Sequence, residues 1–312
     1  MISLRQLRYF DALARTRHFG RAAEQVNVSQ PALSMQIKDL EAVLGAPLVE
    51  RRRNHIQLTP MGVEIHRRAH EILNSANDLV DYARHDSHTL AGPLSLGIIP
   101  SIAPYLLPAI LPVLRDRFPE LRLRLRETQT RMLVDELMAG DLDVILLSLP
   151  LSHPEIETLV LFEDRFLYVT KAPEAEDGKD RRIALSSIDE SRLLLLEEGH
   201  CLRDQALQFC STARSAVVTG KPDLGAASLS TIMQLIANGF GATLLPEMAL
   251  KAEIGANSEV RARRFEAPEP SREIGLAWRR TSARKGDFEA LGKAFKDCRA
   301  AAPPDAGRHP SV

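Results

Sequence analysis

Residues 21–34 have the sequence Arg21-Ala22-Ala23-Glu24-Gln25-Val26-Asn27-Val28-Ser29-Gln30-Pro31-Ala32-Leu33-Ser34. The paired alanines give a short helix an apolar face, and the Val26-Asn27-Val28 segment interrupts that helix with a tight turn. Ser29 then provides an N-cap for a second helix, and Pro31 suits its first turn. Two short helices joined in this way predict a helix-turn-helix, in which the second helix enters the major groove of DNA.

The second helix of this motif carries polar side chains one turn apart on its outer face. Gln30 can recognise adenine and Ser34 is less discriminating, whereas Lys38 is expected to meet phosphate. The segment 51–59 then predicts a short hairpin, whose arginine tip suits phosphate or minor-groove contact. The predicted DNA-contacting residues are Ser29, Gln30, Pro31, Ser34, Lys38, Arg52 and Arg53. A three-helix subdomain that does not touch DNA can show the same spacing, so this alternative stays open.

The charge of the chain is unevenly distributed. Residues 1–68 contain 11 Lys and Arg against 6 Asp and Glu, a balance of +5, whereas the remainder has a balance of −6. A basic N-terminal module on an acidic body favours nucleic-acid binding by one end of the molecule. A solvated basic surface without a nucleic-acid partner is the alternative.

The chain is expected to be cytoplasmic and to have no membrane segment. No stretch approaches the ~20 uninterrupted apolar residues of a membrane helix. Residues 1–5 lead into a polar amphipathic pattern instead of the apolar core of a signal peptide. The three cysteines are therefore expected to start as reduced thiols, as in most cytosolic proteins.

A helix with a regular apolar stripe is predicted over residues 61–86. The stripe advances in alternating steps of four and three through Ile65, Ala69, Ile72, Ala76, Leu79 and Ala83. This is the a/d pattern of a coiled coil, and we expect the helix to pair with a second copy of the chain. Packing against its own domain is the alternative. His66 and His70 on this helix are expected at the surface, and the Leu90–Pro93 segment is expected to act as a hinge.

Beyond Pro93, strands and helices alternate along the chain in two successive sets. In the first set, an apolar strand over 94–99 precedes a helix over 105–118. The second set starts with a strand over 166–170 and continues to a final helix over 288–298. Such alternation predicts two α/β lobes with parallel sheets.

Two of the three cysteines, Cys201 and Cys210, lie nine positions apart. Cys201 has His200 and Arg203 close by, and cationic neighbours at a loop-to-helix junction favour a thiolate. If the intervening segment is helical, at about 1.5 Å per residue, the two Cα atoms are roughly 13 Å apart, whereas a disulfide needs about 7 Å or less. Oxidation would then have to unwind the segment, which suggests a redox switch. Two small buried hydrophobes are the alternative, and this spacing is unusual for a zinc site.

Several segments together resemble the winged helix-turn-helix of LysR-type transcriptional regulators. They are Ala22-Ala23-Glu24, Val28 to Ser34, Ile37 to Glu41, Leu44-Gly45, Leu48, Arg51, Leu58-Thr59 and Gly62. The late motif Gly239 to Pro246 is also similar to that family's. The resemblance implies an α/β chain in which a winged helix-turn-helix and a long linker helix precede two Rossmann-like α/β subdomains, as in a periplasmic-binding-protein-like effector domain.

The domain boundaries predicted on this basis follow the order of those parts. They are 1–60 for the DNA-binding domain, 61–88 for the linker and dimerisation helix, 89–93 for the hinge, 94–300 for the regulatory domain and 301–312 for a disordered tail. Within the regulatory domain, lobe I is predicted to comprise 94–164 and 273–300, and lobe II to comprise 165–272.

Within the LysR family, the segment from Gly199 to Cys210 resembles the OxyR-type hydrogen-peroxide sensors. The resemblance implies that Cys201 reacts with peroxide and that Cys210 then forms a disulfide with it. The implied peroxide pocket consists of His200, Arg203, Asp204, Gln205, Ser101, Thr130 and Arg272. Ser101 stands where these sensors usually have Thr, which keeps the hydroxyl and removes a packing methyl.

The function implied by the resemblance is peroxide-responsive activation of antioxidant genes. The implied partners are double-stranded promoter DNA, further copies in a homodimer or homotetramer, hydrogen peroxide, RNA polymerase and a thiol-disulfide reductant that resets the switch. We expect no cofactor, no metal and no enzymatic turnover. A LysR-type regulator that binds a small organic anion between its lobes is one alternative. A thiol peroxidase is another, although it gives the basic N-terminal module no role.

Overall fold

The computed structural model describes residues 1–52, 55–84, 89–172, 182–213, 225–255 and 259–301. The chain divides into two compact units, Met1–Ser87 and His88–Val312. Arg53 and the predicted tail beyond residue 301 lie outside the described residues, as do the side chains of Arg52 and Cys210. Within the described ranges, no helix is both long and apolar enough to cross a membrane.

The first unit is a helix-turn-helix followed by a hairpin and a long helix. Its elements are α1 (Leu4–Thr16), α2 (Phe19–Gln25), α3 (Gln30–Leu44), β1 (Val49–Arg52), β2 (His55–Leu58) and α4 (Pro60–Arg84). Ser29 caps α3 by accepting a hydrogen bond from the Ala32 N–H, and Gly45 ends that helix in the left-handed conformation. The turn before α3 places Asn27 at φ +54°, a conformation that Asn tolerates better than most residues. The predicted helix-turn-helix is confirmed.

A single hydrophobic core holds the three short helices together. Phe10 and Leu13 of α1 are fully buried, as are Leu33, Ile37 and Leu40 of α3. The α3 residues are spaced by four and three, so they form one stripe and leave the opposite face of the helix to solvent. The core therefore fixes which face of α3 remains available to a ligand.

The junction between the hairpin and α4 requires a glycine. The Thr59 hydroxyl donates to the Pro47 carbonyl oxygen at 2.8 Å and accepts from the Gly62 N–H at 2.9 Å. A Cβ atom added at Gly62 would lie 2.0 Å from the carbonyl oxygen of Leu48. Any side chain at this position must therefore displace the backbone that leads into the hairpin.

The apolar stripe predicted on α4 has two different environments. Ile65 and Ala69 pack on the core of the first unit, which is the alternative to self-pairing for this half of the stripe. Ile72 and Leu79 are exposed, at 49% and 70% of their surface. The prediction of a continuous intermolecular seam is therefore wrong for the first two turns, because α1 already covers them. Pairing of two copies through the exposed half stays a prediction.

The second unit contains alternating strands and helices in chain order. They are β3 (Gly92–Ile98), α5 (Ala103–Arg117), β4 (Leu121–Glu127), α6 (Thr130–Met138), β5 (Val144–Leu149), β6 (Ile156–Lys171), β7 (Leu195–Leu196), α7 (Cys201–Ala213), β8 (Gly225–Ala226), α8 (Leu229–Ala237), β9 (Ala242–Pro246), α9 (Leu250–Glu253), β10 (Val260–Arg264), β11 (Ser271–Arg279) and α10 (Lys285–Ala301). Two separate clusters of buried apolar residues form its cores. The predicted fold class is confirmed.

The main sheet of this unit is mixed, whereas parallel sheets were predicted. Its described strands have the order β10-β6-β11-β5-β3-β4, with β9 also paired to β6. Strand β3 runs parallel to β4 and β5, but β11 is antiparallel to β5 and β6, and β6 is antiparallel to β9 and β10. The long strand β6 explains the difference, because it pairs with β11 up to Arg165 and with β9 from Phe166 onward. One strand thus belongs to both halves of the unit.

The segment predicted as a hinge is partly fixed in the second unit. Leu90 is 1% exposed, and its N–H donates to the Asp287 carboxylate at 2.8 Å. Gly92 and Pro93 already belong to β3 and pair with β4. The prediction of a hinge over 89–93 is therefore wrong for Leu90 and for the last two residues, since buried and hydrogen-bonded backbone does not act as a free joint.

Replacing Gly62 by Ala tests the junction. The added methyl meets the Leu48 carbonyl oxygen at 2.0 Å, so we expect G62A to lower the free energy of unfolding by about 1–3 kcal/mol. Gly286 near the start of α10 is a matched control, because a Cβ there would meet nothing within 4 Å. Urea unfolding followed by circular dichroism should show no loss of stability for G286A. Equal stability of G62A and the wild type would contradict the packing described.

Candidate functional site

Cys201 is the first residue of α7 and follows a loop with an unusual backbone. Gly199 in that loop adopts φ +94°, and a Cβ there would lie 2.5 Å from Oε1 of Gln129. The Gln129 amide also donates to the Glu198 carbonyl oxygen at 3.4 Å. The left-handed backbone conformation therefore favours glycine at 199, and the absence of a Cβ lets the Gln129 amide lie close to the loop. This loop sets where Cys201 starts its helix.

The sulfur of Cys201 lies against the start of a second helix. Its Sγ atom is 3.2 Å from Oγ1 of Thr130, which is the first residue of α6. Two helix N-termini, those of α6 and α7, therefore meet at the sulfur. Helix N-termini carry partial positive charge and unpaired N–H groups, which stabilise an anion.

A pocket surrounds this contact and is formed by three stretches of the chain. It is lined by Ile99, Pro100, Ser101, Gln129, Thr130, Gly199, His200 and Cys201. Three of the seven residues implied for a peroxide pocket, namely Ser101, Thr130 and His200, are thus brought together with Cys201. The pocket offers hydroxyl groups, an imidazole and a thiol within one small concave surface.

Arg272 lies behind this pocket and fixes Ser101. Its guanidinium donates to Oγ of Ser101 at 2.9 Å and to the Ser101 carbonyl oxygen at 3.1 Å. Its Nε donates to Oδ2 of Asp164 at 3.0 Å, and both charged side chains are fully buried. Because the Ser101 oxygen already accepts from Arg272, its own proton is available to an acceptor in the pocket.

Asp164 completes the buried ion pair. Burial raises the pKa of the Asp164 carboxyl, and the charge of Arg272 opposes that rise. The other carboxylate oxygen, Oδ1, accepts from the Met248 N–H at 3.1 Å. A buried charge with hydrogen bonds to both oxygens is held in one position, and so is the arginine that it faces.

The remaining implied pocket residues have other environments. Arg203 donates to the carbonyl oxygen of Leu196 at 3.0 Å, and Asp204 is exposed. The amide nitrogen of Gln205 donates to the Ser148 hydroxyl at 2.6 Å. Its Oε1 is buried and has no hydrogen-bond partner among the described residues. The side-chain hydrogen bonds of Arg203 and Arg272 within the described structure thus go to groups other than the Cys201 sulfur.

The predicted cysteine pair lies on one helix. Residues 201–213 form α7 without interruption, so the Cα atoms of Cys201 and Cys210 are about 13 Å apart at the rise of an α-helix. Cys298 on α10 is half-buried, and burial raises the pKa of its thiol. The segment between the two cysteines is therefore helical, and the two Cα atoms are too far apart for a disulfide in this conformation.

The predicted DNA-contacting residues lie at the start and on the outer face of α3. Gln30 and Lys38 are exposed and Ser34 is half-buried, beside the edge of the buried stripe formed by Leu33 and Ile37. Pro31 lies in the first turn of α3, and Ser29 serves as its cap. Arg52 ends β1.

Sequence analysis missed Asp164 and Met248. The alternation of a strand indicates that Asp164 is buried. It lies two residues before the buried Phe166, and its neighbours Glu163 and Arg165 are exposed. A carboxylate on the buried face of a strand needs a partner. The identity of that partner depends on the strand pairing, which places Arg272 of β11 directly opposite Asp164 of β6.

Comparison with known families covers nearly the whole chain. Residues 4–63 match the model "Bacterial regulatory helix-turn-helix protein, lysR family", and residues 87–298 match the model "LysR substrate binding domain". The two matches correspond to the first and the second unit of the structure.

Similar proteins and structures agree with these matches. A "Probable hydrogen peroxide-inducible genes activator" of Streptomyces viridosporus is 42% identical over 295 residues, covering 95% of this chain and 94% of that protein. The "DNA-binding transcriptional dual regulator OxyR" of Escherichia coli K12 is 36% identical, covering 95% of both. A full-length OxyR variant of Pseudomonas aeruginosa superposes with a TM-score of 0.79 at 35% identity, covering 95% of this chain and 98% of that one. The chain therefore belongs to the LysR family of transcriptional regulators, and within it to the OxyR group of hydrogen peroxide-inducible activators.

Proposed function

We propose that hydrogen peroxide switches this regulator by joining Cys201 to Cys210 in an intramolecular disulfide. The observation that carries the proposal is the 3.2 Å contact between Sγ of Cys201 and the Thr130 hydroxyl, in a concave surface that Ser101 and His200 also line. The resolving thiol lies on the same helix, nine residues further along.

In the first step, the Cys201 thiolate attacks one oxygen of hydrogen peroxide. The O–O bond breaks, the sulfur becomes a sulfenic acid, and the other oxygen leaves as hydroxide. In this proposal Thr130, which contacts the sulfur, donates to the thiolate, and Ser101, which Arg272 holds, donates to a peroxide oxygen. His200 in the pocket lining can protonate the leaving hydroxide.

In the second step, the Cys210 sulfur attacks the sulfenic sulfur, an S–S bond forms, and water leaves. A disulfide needs Cα atoms within about 7 Å, so α7 has to unwind before or during this step. Helix α7 thus has two states, helical when the thiols are reduced and unwound when the disulfide has formed. A thiol-disulfide reductant restores the first state by exchange.

The rearranged segment is proposed to alter how regulatory domains pair in a homodimer or homotetramer. That change would alter the spacing of the N-terminal units. In each of them, Gln30, Ser34 and Lys38 of α3 are proposed to contact double-stranded promoter DNA. Contact with RNA polymerase and activation of antioxidant genes in the cytoplasm complete the proposal. The predicted boundaries of the DNA-binding domain, the linker helix, the regulatory domain and the tail are retained as part of it.

Mass spectrometry of the full chain after a short peroxide pulse tests the proposed disulfide. Trypsin cleaves after Arg203, between the two cysteines, so the disulfide must link peptide 193–203 to peptide 204–214. We expect a loss of two hydrogens in the intact protein and recovery of this linked pair. C201S should lose both signals and the transcriptional response to peroxide, yet still bind DNA.

Cys298 provides the matched control, because it is a half-buried thiol in the same unit. C298S should form the linked peptides at the wild-type rate. Peroxide-dependent activation that persists in C201S, or a wild-type response without the linked peptides, would contradict the proposal.

Replacing Asp164 by Asn tests the positioning of Ser101. Asn keeps the size of the side chain and removes the charge that fixes Arg272, so the Ser101 hydroxyl loses its fixed orientation. We expect the rate constant of Cys201 oxidation by peroxide to fall by about 10- to 100-fold. Alkylation of Cys201 by iodoacetamide should change much less, because that reaction does not need the hydroxyl.

Glu163 is the control for this substitution, since it is the neighbouring exposed carboxylate on the same strand. E163Q should oxidise at the wild-type rate. Circular dichroism establishes whether D164N is folded, and a folded D164N with an unchanged oxidation rate would show that Asp164 does not position the pocket.

A further inference from the structure

The N-terminal unit brings a carboxylate and two imidazoles together outside the peroxide pocket. Asp11 belongs to α1, and His66 and His70 lie one turn apart on α4. Oδ1 of Asp11 is 3.0 Å from Nε2 of His66 and 3.0 Å from Nδ1 of His70. One donor atom from each of the three residues lies within 4.8 Å of the others. The expectation that both histidines are surface residues is wrong for His70, whose side chain is only 12% exposed, and His66 is partly buried at 28%.

These separations are close to those of a metal site. Zinc binds nitrogen and oxygen ligands at about 2.0–2.2 Å in a tetrahedral arrangement, in which neighbouring ligand atoms are about 3.3 Å apart. The two distances of 3.0 Å to Oδ1 of Asp11 need to widen by a few tenths of an ångström, and the two ring nitrogens, which lie within 4.8 Å of each other, need to reach the same separation. The i, i+4 spacing of the histidines keeps both rings on one face of α4. Two imidazoles and a carboxylate suit zinc and neighbouring transition metals, and leave a fourth position for water.

The hydrogen bonds alone leave one histidine nitrogen without a partner. Nδ1 of His70 lies 3.0 Å from Oδ1 of Asp11, whereas its Nε2 is buried without a hydrogen-bond partner among the described residues. Buried polar atoms in folded proteins nearly always have partners. The His70 ring is therefore incompletely hydrogen-bonded, and its Nδ1, which faces Asp11, is the nitrogen available to a metal ion.

The charges around the cluster fit a cation that is held through Asp11. The Asp11 carboxylate is largely buried, with 16% of its side chain exposed, and its Oδ1 atom faces both imidazoles. Arg15 pairs with the outer oxygen, Oδ2, at 3.1 Å, as carboxylate ligands commonly do with a neighbouring group. Its other contact, from Nη2 to Nδ1 of His70 at 3.4 Å, must be given up when a metal binds. The arginine side chain is 34% exposed and has room to move.

We propose that Asp11, His66 and His70 bind one divalent transition-metal ion of the zinc class and thereby fasten α1 of the helix-turn-helix to α4. No metal is expected from the sequence, and this site is independent of the proposed disulfide. A bound ion would stiffen the connection between the DNA-binding helices and the long helix that follows them.

Titration of the full chain with Co²⁺ and Zn²⁺ tests the site. The protein carries Ser at all three cysteine positions, so that thiolates do not bind the metal, and is first treated with a chelator. We expect one Co²⁺ per chain with a d–d absorption spectrum, displacement by Zn²⁺, and a higher thermal unfolding midpoint with Zn²⁺.

Glutamine at either histidine keeps a hydrogen-bond donor for Asp11 but removes the imidazole. H66Q and H70Q should each weaken Zn²⁺ binding at least tenfold, as measured by calorimetry, and abolish the thermal shift. H153Q, which removes a histidine from the second unit, should bind as tightly as the parent. Absence of binding to the folded parent, or equal binding by H66Q and H70Q, would overturn the proposal.

Discussion

The rise of helix α7 is the constraint on which the proposed switch depends. An unbroken helix separates the Cα atoms of Cys201 and Cys210 by about 13 Å, nearly twice the distance that a disulfide allows. The reduced fold and the disulfide therefore exclude one another. Whatever free energy the unwinding costs also destabilises the disulfide, and about 1.4 kcal/mol corresponds to about 30 mV in its reduction potential. The proposed disulfide would therefore be readily reduced by thiol reductants.

The reactive end of that helix is built by elements from across the second unit. Gly199 allows the loop to approach Gln129, and the same approach places the sulfur of Cys201 beside Thr130 at the start of α6. Behind them, the buried pair of Asp164 and Arg272 holds Ser101. The strand β6 supplies Asp164 just before it changes partners from β11 to β9. The pocket thus lies where the two halves of the unit share a strand.

The sequence was sufficient to predict elements whose ends are set by helix caps and whose faces are set by short-range periodicity. Ser29 and Gly45 delimit α3 as predicted, because an N-cap and a left-handed glycine act within one turn of the helix. The site residues Ser101, Thr130 and His200 were available through resemblance, not through any pattern in the residues themselves. Their meeting at Cys201 depends on tertiary contacts between α6, α7 and the loop after β3.

Predictions that depended on long-range pairing were less successful. The prediction of parallel sheets was wrong because β6 and β11 pair in antiparallel orientation, without a crossover helix between them. The alternation of strands and helices in the sequence does not indicate strand direction. The prediction of a hinge was wrong at Leu90 because its N–H donates a hydrogen bond to Asp287, a residue 197 positions away in sequence. The stripe on α4 was correctly found as apolar, but its periodicity did not distinguish the α1 side of the helix from a partner chain.

Amide hydrogen exchange across α7 tests the central claim most directly. Residues 205–213 have intrahelical acceptors for their N–H groups in the reduced protein, because they lie beyond the first turn of the helix. The account predicts that their protection falls at least tenfold when peroxide has formed the disulfide, and returns on reduction. Unchanged protection of these amides in protein that carries the disulfide would contradict it.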